Sequence, residues 1–220
     1  MIKPDKILRS TRKTLSVSID PFGKLIVRAP ARLSEERIFA FLQEKEGWIR
    51  AHQAKKAGAE ARLPTKDLNG YRFLLLGEYY VVFLYGGRKV LCDEVEKRLF
   101  VPREKSEEAL RKWLKARAEE YFNGLARRLA VEMKTSYKKL SVSSAKSRWG
   151  CCTFDNALRF SFRLLYAPET VVRYVVVHEL AHTFVKNHSS NFWAVVKAYA
   201  PTYKKERQWL KDRAYLMEIF

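Results

Sequence analysis

The segment from Tyr174 to His182 reads YVVVHELAH, and its composition and its chemistry pull toward different folds. Four valines in the run from Val172 favour a strand on propensity alone. A strand, however, would hold His178 and His182 about 13 Å apart along its axis. A helix stacks them one turn apart on the same face, where two imidazoles reach one metal ion. Glu179 is then displaced by about 100° around that helix. It lies within reach of a water at the ion without being a ligand. The spacing therefore predicts a helix from Pro168-Glu169 to about Val185, with Pro in the first turn and Glu suited to the helix dipole. This is the H-E-x-x-H pattern of metal-activated water paired with a carboxylate proton acceptor.

A catalytic zinc takes three protein ligands and keeps one position open. His188, six residues beyond His182, is the candidate third ligand. Lys186-Asn187 reads as a helix end, with Asn tolerating the left-handed conformation of a C-terminal cap. That turn swings His188 back toward the first two histidines. Ser189 or Ser190 then caps a new helix carrying Phe192, Trp193, Val196 and Tyr199. Zn²⁺, one per chain, is the expected cofactor. The remaining histidine, His52, falls on the apolar face of an earlier helix and reads as a packing residue.

Together HELAH, the following NHSSNFW, KSRWGCC (Lys146 to Cys152), LRFSFRLLYAP (Leu158 to Pro168) and an early helix containing GWI (Gly47 to Ile49) span most of the chain. Taken in chain order they are similar to the YgjP-like metallohydrolases, relatives of the SprT and WLM-type zinc metallopeptidases. The resemblance implies an α+β protein with a zincin-like helical domain, and a metallopeptidase activity. It places the KSRWG segment near the metal. Arg148 is the first candidate for steadying negative charge in the transition state, with Tyr174 and Tyr203 behind it. The family usually has Ser then Cys after Trp-Gly, whereas this chain has Cys151-Cys152. The resemblance also carries an alternative activity, pyrophosphate release from a nucleoside triphosphate such as UTP. Lys146, Arg148, Arg159 and Arg163 would suit a polyphosphate, although no Walker-type glycine loop and no carboxylate cluster for Mg²⁺ are present.

Lys and Arg number 43 against 24 for Asp and Glu, a net charge of +19. Such a surplus attracts polyanions, so a nucleic-acid-associated protease is a third reading, but no nucleic-acid-binding module is recognisable. The expected partners are thus a peptide or protein substrate, or a nucleotide, with nucleic acid admitted by charge. Three cysteines, two of them adjacent, give no disulfide framework and suit a reducing cytoplasm. The N-terminus lacks the apolar core of a signal peptide, and the longest apolar run, Tyr79 to Tyr85, is too short to span a bilayer. A cytoplasmic protein without a membrane segment is expected. Nothing in the sequence sets the oligomeric state.

The rest of the chain reads as two parts. Residues 1–102 form a β-rich unit with one embedded helix. Its hairpin comprises Thr14 to Asp20 and Lys24 to Ala29 around Pro21-Phe22-Gly23. The helix runs from a Ser34 cap to about Ala57, and a linker covers Gly58 to Asn69. Short strands follow at Tyr71–Leu76, Tyr79–Tyr85, Lys89–Cys92 and Arg98–Val101, with the aromatics of the second assigned to a core. Residues 103–220 form the metallohydrolase domain. It opens with a long helix capped by Ser106, with Leu110, Trp113, Leu114, Tyr121, Leu125 and Leu129 as its apolar stripe. Two strands, Leu140 to Ser143 and Leu158 to Phe162, pair around Phe154-Asp155-Asn156. A closing helix covers Thr202 to Met217.

Overall fold

The computed structural model describes residues 2–20, 23–56 and 67–220. Pro21 and Phe22 of the expected hairpin turn, and most of the expected linker, lie outside the described residues. Among the described residues the fold is α+β, with six α-helices and three small sheets. It divides into two compact units, Met1–Leu63 with Asp212–Tyr215, and Pro64–Lys211 with Leu216–Phe220.

In the first unit, β1 (Lys6–Ser10), β2 (Ser16–Ile19) and β3 (Leu25–Pro30) form a sheet in the order β1-β3-β2. The β2–β3 pair is the antiparallel hairpin expected from strict alternation. Strand β1 was not foreseen and runs parallel to β3. The expected single helix is two, α1 (Glu35–Glu44) and α2 (Glu46–Lys56), broken at Lys45. Ser34 caps α1 by accepting the Arg37 backbone N–H. Leu25, Val27 and Ala29 of the sheet and Ile38, Leu42 and Ile49 of the helices are fully buried together, alternate residues of one meeting one face of the other. His52 stacks on Trp48 with ring centroids 4.2 Å apart and bonds its backbone oxygen, the packing role expected.

The second unit opens with β4 (Arg72–Leu75), β5 (Glu78–Tyr85), β6 (Leu91–Asp93) and β7 (Arg98–Pro102), ordered β4-β5-β7-β6. Leu76 and Gly77 make the two-residue turn between β4 and β5, both at positive φ (52° and 98°), the conformation that matches strand twist in a tight hairpin. The Leu76 N–H donates to the Leu165 carbonyl at 2.8 Å. That bond joins this sheet to the same packed unit as the histidine helix, so the expected boundary at 102/103 falls inside the unit. The expected aromatic core of β5 holds only in part. Tyr80 is buried, whereas Tyr79 and Phe83, on the other face, are exposed.

Helix α3 (Ser106–Glu132) buries Leu110, Leu114, Ala118, Phe122, Leu125 and Leu129, so the stripe passes through Phe122 and leaves Trp113 and Tyr121 half-buried. Ser106 is inside the helix; Lys105 precedes it in a left-handed conformation, with no side-chain cap. The third sheet contains β8 (Lys139–Ser143), β9 (Gly150–Cys152) and β10 (Ala157–Ser161), ordered β8-β10-β9. The expected pairing of β8 with β10 occurs, but in parallel. The turn at 153–156 instead joins β10 to β9, antiparallel. Most of KSRWG is not a strand; Gly150 alone enters β9. A buried 3-10 turn, Phe162–Tyr166, leads into α4 (Glu169–Ala181), which packs on α3 and β9. α5 (Ser190–Tyr199), α6 (Tyr203–Asp212) and a 3-10 turn, Ala214–Glu218, complete the chain, so the expected closing helix is interrupted. Among the described residues no helix is long and apolar enough to cross a membrane.

Candidate metal centre

Helix α4 forms despite its valines because nearly its whole surface is enclosed. Val171, Val172, Tyr174, Val175, Val176, Val177, Glu179, Leu180 and Ala181 are all buried. A helix apolar on every side belongs in a core, where packing outweighs weak propensity. It ends one turn earlier than expected, at Ala181, with His182 as its C-cap residue at φ −68°. Asn187 takes no left-handed cap conformation; its side-chain oxygen accepts the Ser189 N–H at 3.2 Å and shapes the entry to α5. Four hydrogen bonds fix the helix end. The Thr183 hydroxyl donates to Leu180 O at 2.7 Å and accepts from Thr135 after α3 at 2.6 Å. The Lys186 ammonium donates to Thr153 O and Asn156 Oδ1 in the β9–β10 turn.

This backbone path brings His178, His182 and His188 together. One ligating nitrogen from each lies within 4.8 Å of the others. The Nε2 atoms of His178 and His188 are 3.1 Å apart. A tetrahedral ion with nitrogen ligands at about 2.0–2.1 Å separates them by about 3.4 Å, so the spacing fits with small side-chain adjustments. Nδ1 of His182 lies 3.0 Å from the Val185 carbonyl. A carbonyl only accepts, so this nitrogen carries the proton and Nε2 keeps its lone pair for a metal. Burial lowers the His178 pKa to about 3, with His182, His188 and Arg207 adding to the effect. Burial also lowers that of His182. Both rings are therefore neutral at pH 7, as metal ligation requires. Nδ1 of His178 is buried without a partner. Phe192 of α5 packs its ring 4.5–4.8 Å from all three imidazoles and backs the cluster.

Glu179 faces β9 and is 6% exposed. Burial raises its pKa to about 7, while the Cys152 backbone N–H bonded to it and the Arg148 charge pull it back. A Cβ on Gly150 would sit 2.9 Å from both Cγ and Oε1 of Glu179. Only glycine fits there, because side chains essentially never pack so close. Gly150 and Cys152 thus form the floor under the carboxylate, a role for WGCC that spacing alone did not reveal.

The other candidates separate. Arg148 is exposed, and its charge reaches Glu179. Tyr174 is buried with its ring 5.9 Å from that of His178, and burial raises its pKa to about 12, so it stays a neutral donor. Tyr203 instead stacks on Trp193 at 5.2 Å. Of the remaining cations grouped for a polyphosphate, Lys146 pairs with Glu218 at 3.6 Å and Arg159 bonds Ser141 at 3.4 Å. Arg163, 1% exposed, donates to the carbonyls of Ile219, Ser144 and Phe220. It is a structural clamp, and Lys146, Arg159 and Arg163 are each engaged by contacts within the chain. Cys92, Cys151 and Cys152 are free thiols.

Three imidazoles converging at the end of a buried helix, with a buried carboxylate one residue after the first, are a group that could hold a divalent metal ion. The sequence matches the YgjP-like metallopeptidase-domain family over residues 13–213, nearly the whole chain, and the chain belongs to that family. The family implies a divalent metal, usually zinc, and hydrolase chemistry on peptides or proteins. No curated protein matches the sequence significantly. Among solved structures, the metallopeptidase zymogen jannalysin of Methanocaldococcus jannaschii matches at 15% identity and a TM-score of 0.39, covering 42% of this chain and 95% of that one. The metallopeptidase zymogen abylysin of Pyrococcus abyssi matches at 18% identity and a TM-score of 0.35, covering 41% and 92%.

Proposed function

We propose that this protein is a zinc peptidase in which His178, His182 and His188 hold the ion and Glu179 moves the proton. The observation that carries the reading is the pairing of a converging histidine triad with a buried carboxylate whose pKa is about 7. When bound, the ion supplies Lewis acidity toward a substrate carbonyl and toward water. Glu179 accepts the proton that water loses as its oxygen bonds to the carbonyl carbon. It then delivers that proton to the amine as the C–N bond breaks. A group with a pKa near the working pH serves both transfers, being neither too weak a base nor too weak an acid. Gly150 lets the carboxylate lie close beside β9, and the Cys152 N–H fixes one oxygen. β9 is the edge strand of its sheet, so it offers an extended peptide a place to pair at Gly150, the Cys152 N–H being engaged by Glu179. Arg148 and Tyr174 are the donors assigned to charge developing on the carbonyl oxygen.

Nucleoside triphosphate hydrolysis at the same ion is disfavoured by the dispersal of Lys146, Arg159 and Arg163 into other contacts. The test compares zinc-loaded protein and its Glu179→Gln variant on denatured casein and on each nucleoside triphosphate. Casein cleavage that disappears in the variant is the expected result. Turnover of nucleotide alone, lost in the variant, would overturn the peptidase reading.

A further inference from the structure

One face of α6 is cationic. Tyr203, Arg207 and Lys211 recur at intervals of four, and Lys204, Gln208 and Lys211 at four and three, so all project from one side of the helix. With Trp193 of α5 they line a cleft of about 290 Å³. Of the two acids of this helix, Glu206 is turned inward and takes the Thr202 hydroxyl at 2.9 Å, so it does not neutralise this face, and Asp212 stands at the C-terminal end. Among the described residues Lys204, Arg207 and Lys211 make no ion pair.

The cleft adjoins the histidines through the Trp193 ring. Trp193 has its ring 5.8 Å from that of His178 and 5.9 Å from that of His188. Its ring also stacks on Tyr203, and the Arg207 guanidinium lies 5.1 Å from its centroid. A guanidinium held against an indole keeps its fork of N–H donors in a set orientation, and less freedom is lost when it bonds a carboxylate. Arg207 is close enough for its charge to be felt at His178 and Tyr174.

We propose that this cleft is a substrate subsite that recognises a carboxylate of the bound peptide, near the bond being cut. It would make the enzyme prefer acidic segments, with Arg207 as the main anchor and Lys204 and Lys211 adding field. The carboxylate comes either from an Asp or Glu side chain or from the peptide's own C-terminus. The proposal rests on the peptidase reading for which bond is cut, but not for whether the carboxylate binds.

The test is fluorescence polarisation with labelled heptapeptides on the zinc-loaded Glu179→Gln protein. The peptides carry Glu-Glu or Gln-Gln at their centre, each with a free or an amidated C-terminus. Carboxylate-bearing peptides should bind about tenfold more tightly at low salt, the scale of one charge-assisted bond. The preference should vanish in an Arg207→Gln background, persist weakened in Arg207→Lys, and shrink as salt rises. Dependence on the central pair assigns the side chain; dependence on amidation alone assigns the C-terminus. Equal binding of all four peptides overturns the proposal. So does an Arg207→Gln loss that is equal for every peptide, as a role confined to packing on Trp193 would give. Displacement of the peptide by UTP at a far lower concentration would also overturn it. The same preference with a zinc-loaded wild-type protein that cleaves neither these peptides nor casein keeps the subsite and refutes the peptidase reading.

Discussion

Replacing Glu179 by Gln should stabilise the metal-free protein while destroying its activity, and the stabilisation should appear only as pH rises. Burial raises the folded-state pKa of Glu179 from 4.5 to about 7. Below pH 4.5 the carboxyl is protonated in both folded and unfolded chains and costs nothing electrostatically. Between 4.5 and about 7 the unfolded chain releases its proton first, so stability falls as pH rises through that window. Above about 7 the loss is complete. A shift of about 2.5 units at 1.36 kcal/mol each gives about 3 kcal/mol. Gln is neutral at every pH and has nearly the same shape, so the variant escapes this loss. The assay is urea denaturation of chelator-treated wild type and variant at pH 4 and pH 8. The variant's advantage should grow by about 3 kcal/mol between the two. Because both proteins contain the same histidines, protonation of His178 cancels in the difference. An advantage that does not change with pH would refute the claim that a buried, reluctantly ionised carboxylate sits at this position.

Gly150→Ala puts a methyl group 2.9 Å from Glu179 Oε1 and must displace the carboxylate; casein cleavage should fall about a hundredfold, with zinc content, read by atomic absorption, unchanged. Arg163→Met leaves the carbonyls of Ser144, Ile219 and Phe220 without their donor, and urea denaturation should show a loss of about 3 kcal/mol. Tyr174→Phe removes a phenol held neutral beside the histidines; kcat on a peptide should fall by about tenfold or more while KM changes little, the mark of a donor that acts in the transition state.

The convergence of the three histidines was legible because ligand geometry constrains spacing more tightly than propensity does. His178 and His182 four apart fit one ion only in a helix, and that requirement correctly outweighed Val175, Val176 and Val177. Where His188 would return was also foreseen, but not how. The sequence suggested a left-handed Asn187, whereas Asn187 accepts from Ser189 and the turn is held by Lys186 and Thr183 through side-chain bonds to residues distant in sequence. Such bonds have no local signature. The same limit applies to Gly150. A glycine after Trp149 carries no mark that Glu179, 29 residues later, will lie against it. Parallel pairing of β8 with β10 escaped because alternation reveals a strand but not the direction of its partner. Tyr79 and Phe83 alternate with Tyr80 and Val82, and pattern alone could not say which face is covered. The cationic face of α6 was legible in principle, from the spacing of Tyr203, Arg207 and Lys211, but became meaningful only once Trp193 was placed beside it.

X-ray absorption on the zinc-loaded protein tests the central claim most directly. The account predicts a first shell of nitrogen and oxygen at about 2.0–2.1 Å, with the imidazole scattering of three histidines and one lost in His188→Ala. A sulfur ligand at about 2.3 Å, placing Cys151 or Cys152 on the metal, would contradict it, as would a shell unchanged by the His188 substitution.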